Sequence, residues 1–245
     1  MVADLRESHG GEVASNLSAL FLDPALESQR VEYAAGTVIH DVGTDAEHVY
    51  FVQQGQVRLY LPGPMPERAG SGRLLEILGP SNWFGYGGLS HTRTHIARAV
   101  AVTRTTVIMV RADKFLSLLS TQPEVAVQVV RHMADSVRAA REDAGRLVFD
   151  DCNQRLIKTL VRFASSAAAT QQDGETILQI THEQLAQAVG VARETISLAL
   201  TEFRHQNLVR TGRNQLIFNT EALRAFGQRC QPTGGKRITE LERVA

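Results

Sequence analysis

The sequence predicts an α+β protein in three parts: an antiparallel β-sandwich or barrel, a long helix with an apolar seam, and a winged helix-turn-helix. Short β-rich runs closed by glycine fill residues 31–110. Small and apolar residues then recur every three or four positions through 124–149. A capping box, a turn glycine and a second apolar helical stripe follow in 181–206. Many short strands at even spacing indicate an all-β layer. A sustained seven-residue period indicates a helix–helix seam.

The chain has 245 residues, enough for one large or two modest domains. With 43% hydrophobic residues it can bury a sizeable core. The formal charge is zero, which argues against a non-specific nucleic-acid coat and leaves room for a local basic surface. The two cysteines, Cys152 and Cys230, lie far apart without CxxC or zinc spacing. No disulfide and no metal site are expected, and a reducing cytoplasm fits. No signal peptide and no membrane span are expected either. The sequence lacks GxSxG, a P-loop and HExxH, so no enzyme is expected. The expected division is 1–120 for an arm and barrel, 121–149 for the seam helix, 150–226 for the winged helix and 227–245 for a tail.

Residues 1–15 are polar and carry Gly10-Gly11, which suits a loose arm. Asn16 to Gln29 suits a short helix or two, broken at Pro24. Strands are expected around Val38-Ile39, Val49 to Val52, Val57 to Tyr60 and Leu74 to Leu78, with two more between Ile96 and Val110. Pro62 to Gly72 reads as a mobile hairpin loop. Asp113 to Ser120 is helical, and Pro123 suits the first turn of the next helix.

In that helix Ala126, Val130, Met133, Val137, Ala140, Ala144 and Leu147 form the seam. Arg131, His132, Asp135, Arg138, Arg141 and Glu142 flank it closely. So narrow a stripe favours a two-helix dimer over packing on the chain's own barrel. Asp151 is placed to cap a helix that buries Leu156, Leu160, Phe163 and Ala164. Ser165 to Gly174 reads as a loop and Thr176 to Ile180 as a strand.

Thr181 and Gln184 make a Thr-x-x-Gln capping box. Leu185, Ala186 and Val189 share the buried face of the helix that follows, and Gly190 ends it. A second helix turns Ile196, Ala199, Leu200 and Phe203 inward and Arg193, Glu194, Ser197 and Thr201 outward. Two helices packed around a tight turn form a helix-turn-helix, whose second helix can lie in a DNA major groove. Leu208 to Phe218 adds a hairpin, a wing on which Arg210 and Arg213 are placed to meet phosphates. Glu221 to Phe226 is a last short helix.

With these parts in this order, residues 17–226 resemble the cyclic-AMP receptor protein/FNR (CRP/FNR) superfamily of bacterial transcription regulators. Tyr33 to Tyr60 (YAAGTVIHDVGTDAEHVYFVQQGQVRLY) is similar to the opening strands of the cyclic-nucleotide-binding barrel, a jelly roll. Leu78 to Leu89 (LGPSNWFGYGGL), with Gly85, is similar to its phosphate cassette. Ile180 to Asn207 is similar to its helix-turn-helix, most specifically at Arg193-Glu194-Thr195-Ile196-Ser197.

The resemblance implies a homodimer on an inverted-repeat DNA site, with RNA polymerase as a further partner. Arg193 would bond guanine edges and Glu194 a cytosine amino group. Thr195 and Ser197 would touch a base or phosphate, and Thr181 and His182 the DNA backbone. Two positions depart from the family pattern. Ala192 stands where a capping serine is common, and Leu198 where a second arginine is common. Leu198 would instead meet a thymine methyl. The same two departures favour the alternative of a ligand-binding or protein-interaction module with degenerate DNA reading.

In members that bind cyclic AMP, a glutamate and an Arg-Ser pair hold the ribose and phosphate. Tyr86, His95 and Ile96 match those positions here, and Ala140 and Arg141 match the Thr-Ser pair that meets adenine. Cyclic AMP is therefore not expected. Arg98, two residues past Ile96, would share its strand face and supply a charge. An empty sensor, another small ligand, or haem on His40, His48, His91 or His95 stay open. A four-cysteine iron–sulfur cluster is excluded by the cysteine count.

Overall fold

The computed structural model describes residues 20–21, 23–63, 72–149 and 151–229. The expected arm over 1–15, the middle of the Pro62 to Gly72 loop, and the tail from residue 230 lie outside the described residues.

The N-terminal half is built from β1 (Gln29–Tyr33), β2 (Val38–His40), β3 (His48–Gln54), β4 (Val57–Leu61), β5 (Arg73–Leu78), β6 (Trp83–Phe84), β7 (Arg98–Ala101) and β8 (Thr105–Arg111). They form two four-stranded antiparallel sheets, ordered β1-β8-β3-β6 and β2-β7-β4-β5. Side chains alternate across each sheet and so divide between two cores. Tyr50 and Val52 of β3 meet Val57 and Leu59 of β4 in the jelly-roll interior. Val49 and Phe51 point the other way, into a second core with Phe21, Trp83 and Phe115. There the Phe21 ring stacks 5.1 Å from Phe51 and 5.6 Å from Phe115. Each fully buried phenylalanine contributes about 1.5–3 kcal/mol by leaving water.

The strands expected from sequence are present. β1 begins at Gln29, inside the segment expected to be helical, where the described residues hold only a helical Leu20-Phe21 and a 3₁₀ turn at Pro24–Leu26. β6 is two residues long, too short to show a period.

Helix α1 (Ala112–Thr121) leads into α2 (Pro123–Phe149), with Pro123 at its first position. The seam on α2 differs from expectation at Met133. Val129 is 5% exposed, and Val125 and Met133 pack with it against the second core of the barrel. Positions 125, 129 and 133 repeat at four residues, so a barrel-facing stripe runs beside the seam and takes Met133 into it. Val130 and Val137, 65% and 50% exposed, with Ala140 and Ala144, face away from the barrel. The side chain of Leu147 lies outside the described residues.

The C-terminal half comprises α3 (Cys152–Phe163), β9 (Ala169–Gln172), β10 (Glu175–Gln179), α4 (His182–Val189), α5 (Arg193–His205), β11 (Val209–Gly212), β12 (Gln215–Phe218) and α6 (Thr220–Arg229). Asp151 caps α3 by accepting from the Gln154 amide at 2.7 Å. Its sheet is ordered β11-β12-β10-β9. β9 lies in the segment read as a loop. It is an edge strand of Ala, Thr and Gln, mostly exposed, with no apolar alternation to announce it. The last helix also runs further than expected. Gly227, assigned to the tail, is buried in α6 against Ile157, and its carbonyl accepts from Gln154 Nε2 at 2.9 Å.

The two halves share one core. Tyr60, Leu74, Ile77 and Val100 of the jelly roll pack into the cluster that contains Leu156, Leu160, Leu185 and Phe203. A Cβ added to Gly79 would fall 2.3 Å from that of Ala167. Arg162 on α3 donates to the Leu75 carbonyl at 3.2 Å and pairs with Asp143 on α2 at 2.6 Å. Arg58, 4% exposed on β4, donates to the Gln179 carbonyl at 3.4 Å.

Candidate nucleic-acid interface and sensor region

The turn between α4 and α5 is set by local chemistry. Thr181 Oγ1 accepts from the Gln184 amide, and Gln184 Oε1 accepts from the Thr181 amide, completing the capping box. Gly190 closes α4 at φ 78°, a left-handed conformation that costs glycine little. Leu185, Ala186, Ala188 and Val189 on α4 face Ile196, Ala199, Leu200 and Phe203 on α5, all buried. This core orients the opposite face of α5 outward.

Arg193, Glu194 and Thr195 are exposed on that face, and Leu198 is 74% exposed one turn further on. Ala192 sits at the N-cap without a side-chain hydrogen bond, as the sequence indicates. Ser197 differs from its neighbours. Its hydroxyl donates to the Arg193 carbonyl at 3.1 Å and lies 3.1 Å from His182 Nδ1. Thr181 is half-buried and its hydroxyl is engaged in the cap.

On the wing, Arg213 is exposed in the turn, whereas Arg210 pairs with Glu175 across the sheet. A polar cleft of about 380 Å³ lies between the start of α4, the start of α5 and the wing. Thr181, His182, Glu183, Arg193, Asn214 and Gln215 line it. A second, more open groove separates Ala192 and Arg193 from Pro62, Gly63, Gly72 and Arg73 of the β4–β5 hairpin.

Three of the sensor positions are engaged with neighbouring residues of the protein. Tyr86 follows Gly85, which is buried at φ 87°; a Cβ there would lie 2.7 Å from the Tyr50 ring. The Tyr86 hydroxyl donates to the Trp83 carbonyl at 2.8 Å and lies 2.9 Å from His132 Nε2 on α2. Burial pushes the Tyr86 phenol well above the usual range. In sequence His132 is only a flank of the seam; its reach to Tyr86 depends on how α2 lies on the barrel. Ala140 and Arg141, about two turns further along α2, are exposed.

His95 is 4% exposed and turned into the jelly roll, its ring stacked 3.6 Å from that of His40 at 7°. Burial and the neighbouring His95 hold the His40 imidazole down to about 3, and burial lowers His95 as well. The pair is therefore uncharged near neutral pH. Arg98 is bound bidentately by Asp41, at 2.9 and 2.7 Å. Ile96 does not share its face. Ile96 is 77% exposed while Arg98 is buried, because β7 begins only at Arg98 and strand alternation does not extend back to Ile96. Of the other histidines, His48 is half-buried on β3 and His91 is exposed. Among the described residues no group of three or more His, Cys, Asp or Glu is placed to hold a metal ion. Burial pushes the Cys152 thiol up, away from the reactive range.

A jelly roll with a long helix, joined to a winged helix-turn-helix with an exposed recognition face, is the build of a DNA-binding transcription regulator. The matches to known proteins agree. Residues 30–122 match the cyclic nucleotide-binding domain and residues 154–226 the Crp-like helix-turn-helix domain. A CRP-like cAMP-activated global transcriptional regulator from Mycobacterium tuberculosis is 30% identical, over 80% of this chain and 86% of its own length. The cAMP-activated global transcriptional regulator CRP of Salmonella typhimurium is 28% identical over 75% of this chain and 86% of its own. A CRP/FNR-family transcriptional regulator from Thermus thermophilus shares the fold with a TM-score of 0.66. It is 23% identical, over 82% of this chain and 98% of its own. The chain belongs to the CRP/FNR superfamily of bacterial transcription regulators. Among the described residues no helix is long and apolar enough to cross a membrane.

Proposed function

We propose that this regulator works in the cytoplasm as a homodimer that recognises an inverted-repeat duplex site, without cyclic AMP as its signal. One observation carries the DNA reading. Arg193, Glu194, Thr195 and Leu198 stand exposed on one face of α5, while the opposite face is anchored by four buried side chains. Arg193 bonds a guanine edge, Glu194 accepts from a cytosine and Leu198 covers a thymine methyl. Arg213 on the wing meets a phosphate and adds salt-dependent affinity. The exposed stripe of Val130, Val137, Ala140 and Ala144 supports a dimer seam along α2. Such a dimer presents two recognition helices to successive major grooves. Promoter-bound, it contacts RNA polymerase.

The departure from cyclic AMP is supported by engagement inside the protein. Tyr86 holds Trp83 and His132, His95 stacks on His40, and Arg98 is spent on Asp41. None of the three presents a free charge for a ribose or cyclic phosphate.

Selection of bound duplexes from a random pool by the purified protein, repeated with Arg193→Ala, tests the reading. A symmetric motif that collapses in the variant is expected. No enrichment with or without cell extract would overturn it. A second reading is favoured by the relatives at 30% and 28% identity, both described as cAMP-activated. Enrichment that appears only when cyclic AMP is added would establish that reading instead.

A further inference from the structure

We infer that His182 is a positioning residue of the recognition surface: it holds the Ser197 hydroxyl away from the bases and couples it to a DNA phosphate, so that duplex binding takes up a proton. This deepens the proposed function and rests on the reading of the chain as a duplex-DNA regulator.

Ser197 Oγ has one hydrogen, and it is directed to the Arg193 carbonyl one turn back, at 3.1 Å. With the hydrogen so placed, the contact of 3.1 Å between Oγ and His182 Nδ1 takes the ring nitrogen as donor. A neutral imidazole has only one N–H, so Nε2 carries a lone pair. Among the described residues Nε2 makes no hydrogen bond, and the ring lines the polar cleft between α4, α5 and the wing.

That cleft is suited to a backbone phosphate. Arg193 lines it from α5, and Gly212, Asn214 and Gln215 line it from the wing. A lone pair at Nε2 repels a phosphate oxygen, whereas an N–H there donates to it. An arriving phosphate thus draws a proton from solvent onto Nε2. The imidazolium then donates to phosphate through Nε2 and to Ser197 through Nδ1. Histidine is the side chain whose charge most readily changes near neutral pH. The charged groups around the ring are Glu183 on its own helix and Arg193 on α5. Ile180 and Thr181 before the helix bring no charge, nor do Gly212, Asn214 and Gln215, while Arg213 stands exposed in the wing turn.

Ser197 is consequently spent. Its hydrogen serves the helix backbone and a lone pair serves His182. Base reading falls to Arg193, Glu194 and Leu198, and Ser197 transmits position instead of sequence.

The test uses the duplex most enriched by the full-length wild-type protein. Its dissociation constant is measured by fluorescence anisotropy at pH 6, 7 and 8 and constant ionic strength, for wild type, His182→Gln, His182→Arg and Ser197→Ala. Affinity of the wild type is expected to rise as pH falls, by up to about tenfold per pH unit per protomer. Calorimetry in two buffers of different ionisation enthalpy should show the matching proton uptake. His182→Gln keeps a donor for Ser197 and should bind weakly with a flat profile. His182→Arg should bind tightly with a flat profile. Ser197→Ala should leave the selected motif unchanged. Wild-type pH dependence persisting in His182→Gln, or a base position relaxed by Ser197→Ala, would overturn the inference. A motif that depends on Arg193 but binds independently of pH removes the role of His182 alone. No motif at all removes the DNA reading and this inference together.

Discussion

The recognition surface and the jelly-roll interior treat polar side chains in opposite ways. On α5, Arg193, Glu194 and Thr195 are held out by a buried face and are free to meet another molecule. In the jelly roll, Tyr86 and His95 stand at positions that the resemblance matches to a ligand site, with Arg98 nearby; Tyr86 and Arg98 are hydrogen-bonded to neighbours and His95 is stacked on His40. The recognition face leaves its polar groups to a partner, whereas the jelly roll ties Tyr86 and Arg98 into internal hydrogen bonds and packs His95 against His40. Family membership therefore carries over more safely to the DNA-binding half than to the signal.

Substitutions can break or sharpen this contrast, and the largest effect should come from the barrel's packing. Phe115 is fully buried against Phe21 and Trp83, so Phe115→Ala should cost about 3–5 kcal/mol in chemical denaturation. A loss under about 1 kcal/mol would show that this core does not hold the sensor half together.

The stacked histidines should act through pH. The His40 value falls from 6.5 in the unfolded chain to about 3 on burial. A lowered histidine favours folding above its unfolded value, and that contribution is lost as pH falls from about 6.5 towards 3. Replacing His40 with Phe should flatten the pH dependence over that window, by an amount on the order of a few kcal/mol at its acid end. Denaturant midpoints at pH 7, 5 and 4 would check this, and parallel curves for variant and wild type would refute it.

On the recognition surface, Arg193→Ala should weaken the selected duplex by about 1–3 kcal/mol and relax one position of the motif. A uniform loss across all duplexes would mean that Arg193 meets phosphate alone. The smallest effect should be a gain. Ala192→Ser supplies the cap that α5 lacks and should stabilise the protein by about 0.5–2 kcal/mol, read as a raised melting temperature.

Legibility in the sequence divides along the same line. The helix-turn-helix is readable because its determinants are local: Thr181 with Gln184, Gly190, and apolar residues at helical spacing. The sensor depends on contacts between distant segments. His132 reaches Tyr86 only because Val125, Val129 and Met133 lay α2 on the barrel. A seven-residue period cannot separate that stripe from a partner-facing seam, since both repeat nearly alike. Alternation misplaces Ile96 because it precedes a strand that starts at Arg98. Helical spacing puts Ser197 on the correct face, but its bond to His182 spans two helices and has no sequence signature.

Gly79 has a consequence for anyone recombining parts of this family. Ala167 stands where a side chain at position 79 would be, and Arg162 ties the Leu75 carbonyl to Asp143 on the long helix. The boundary between the halves is thus a fitted joint and not a tether. A chimera that grafts this winged helix onto a relative's barrel will seat only if the acceptor carries a glycine at the matching turn. Any bulkier residue there acts as a wedge, prising the grafted reading head off its mount.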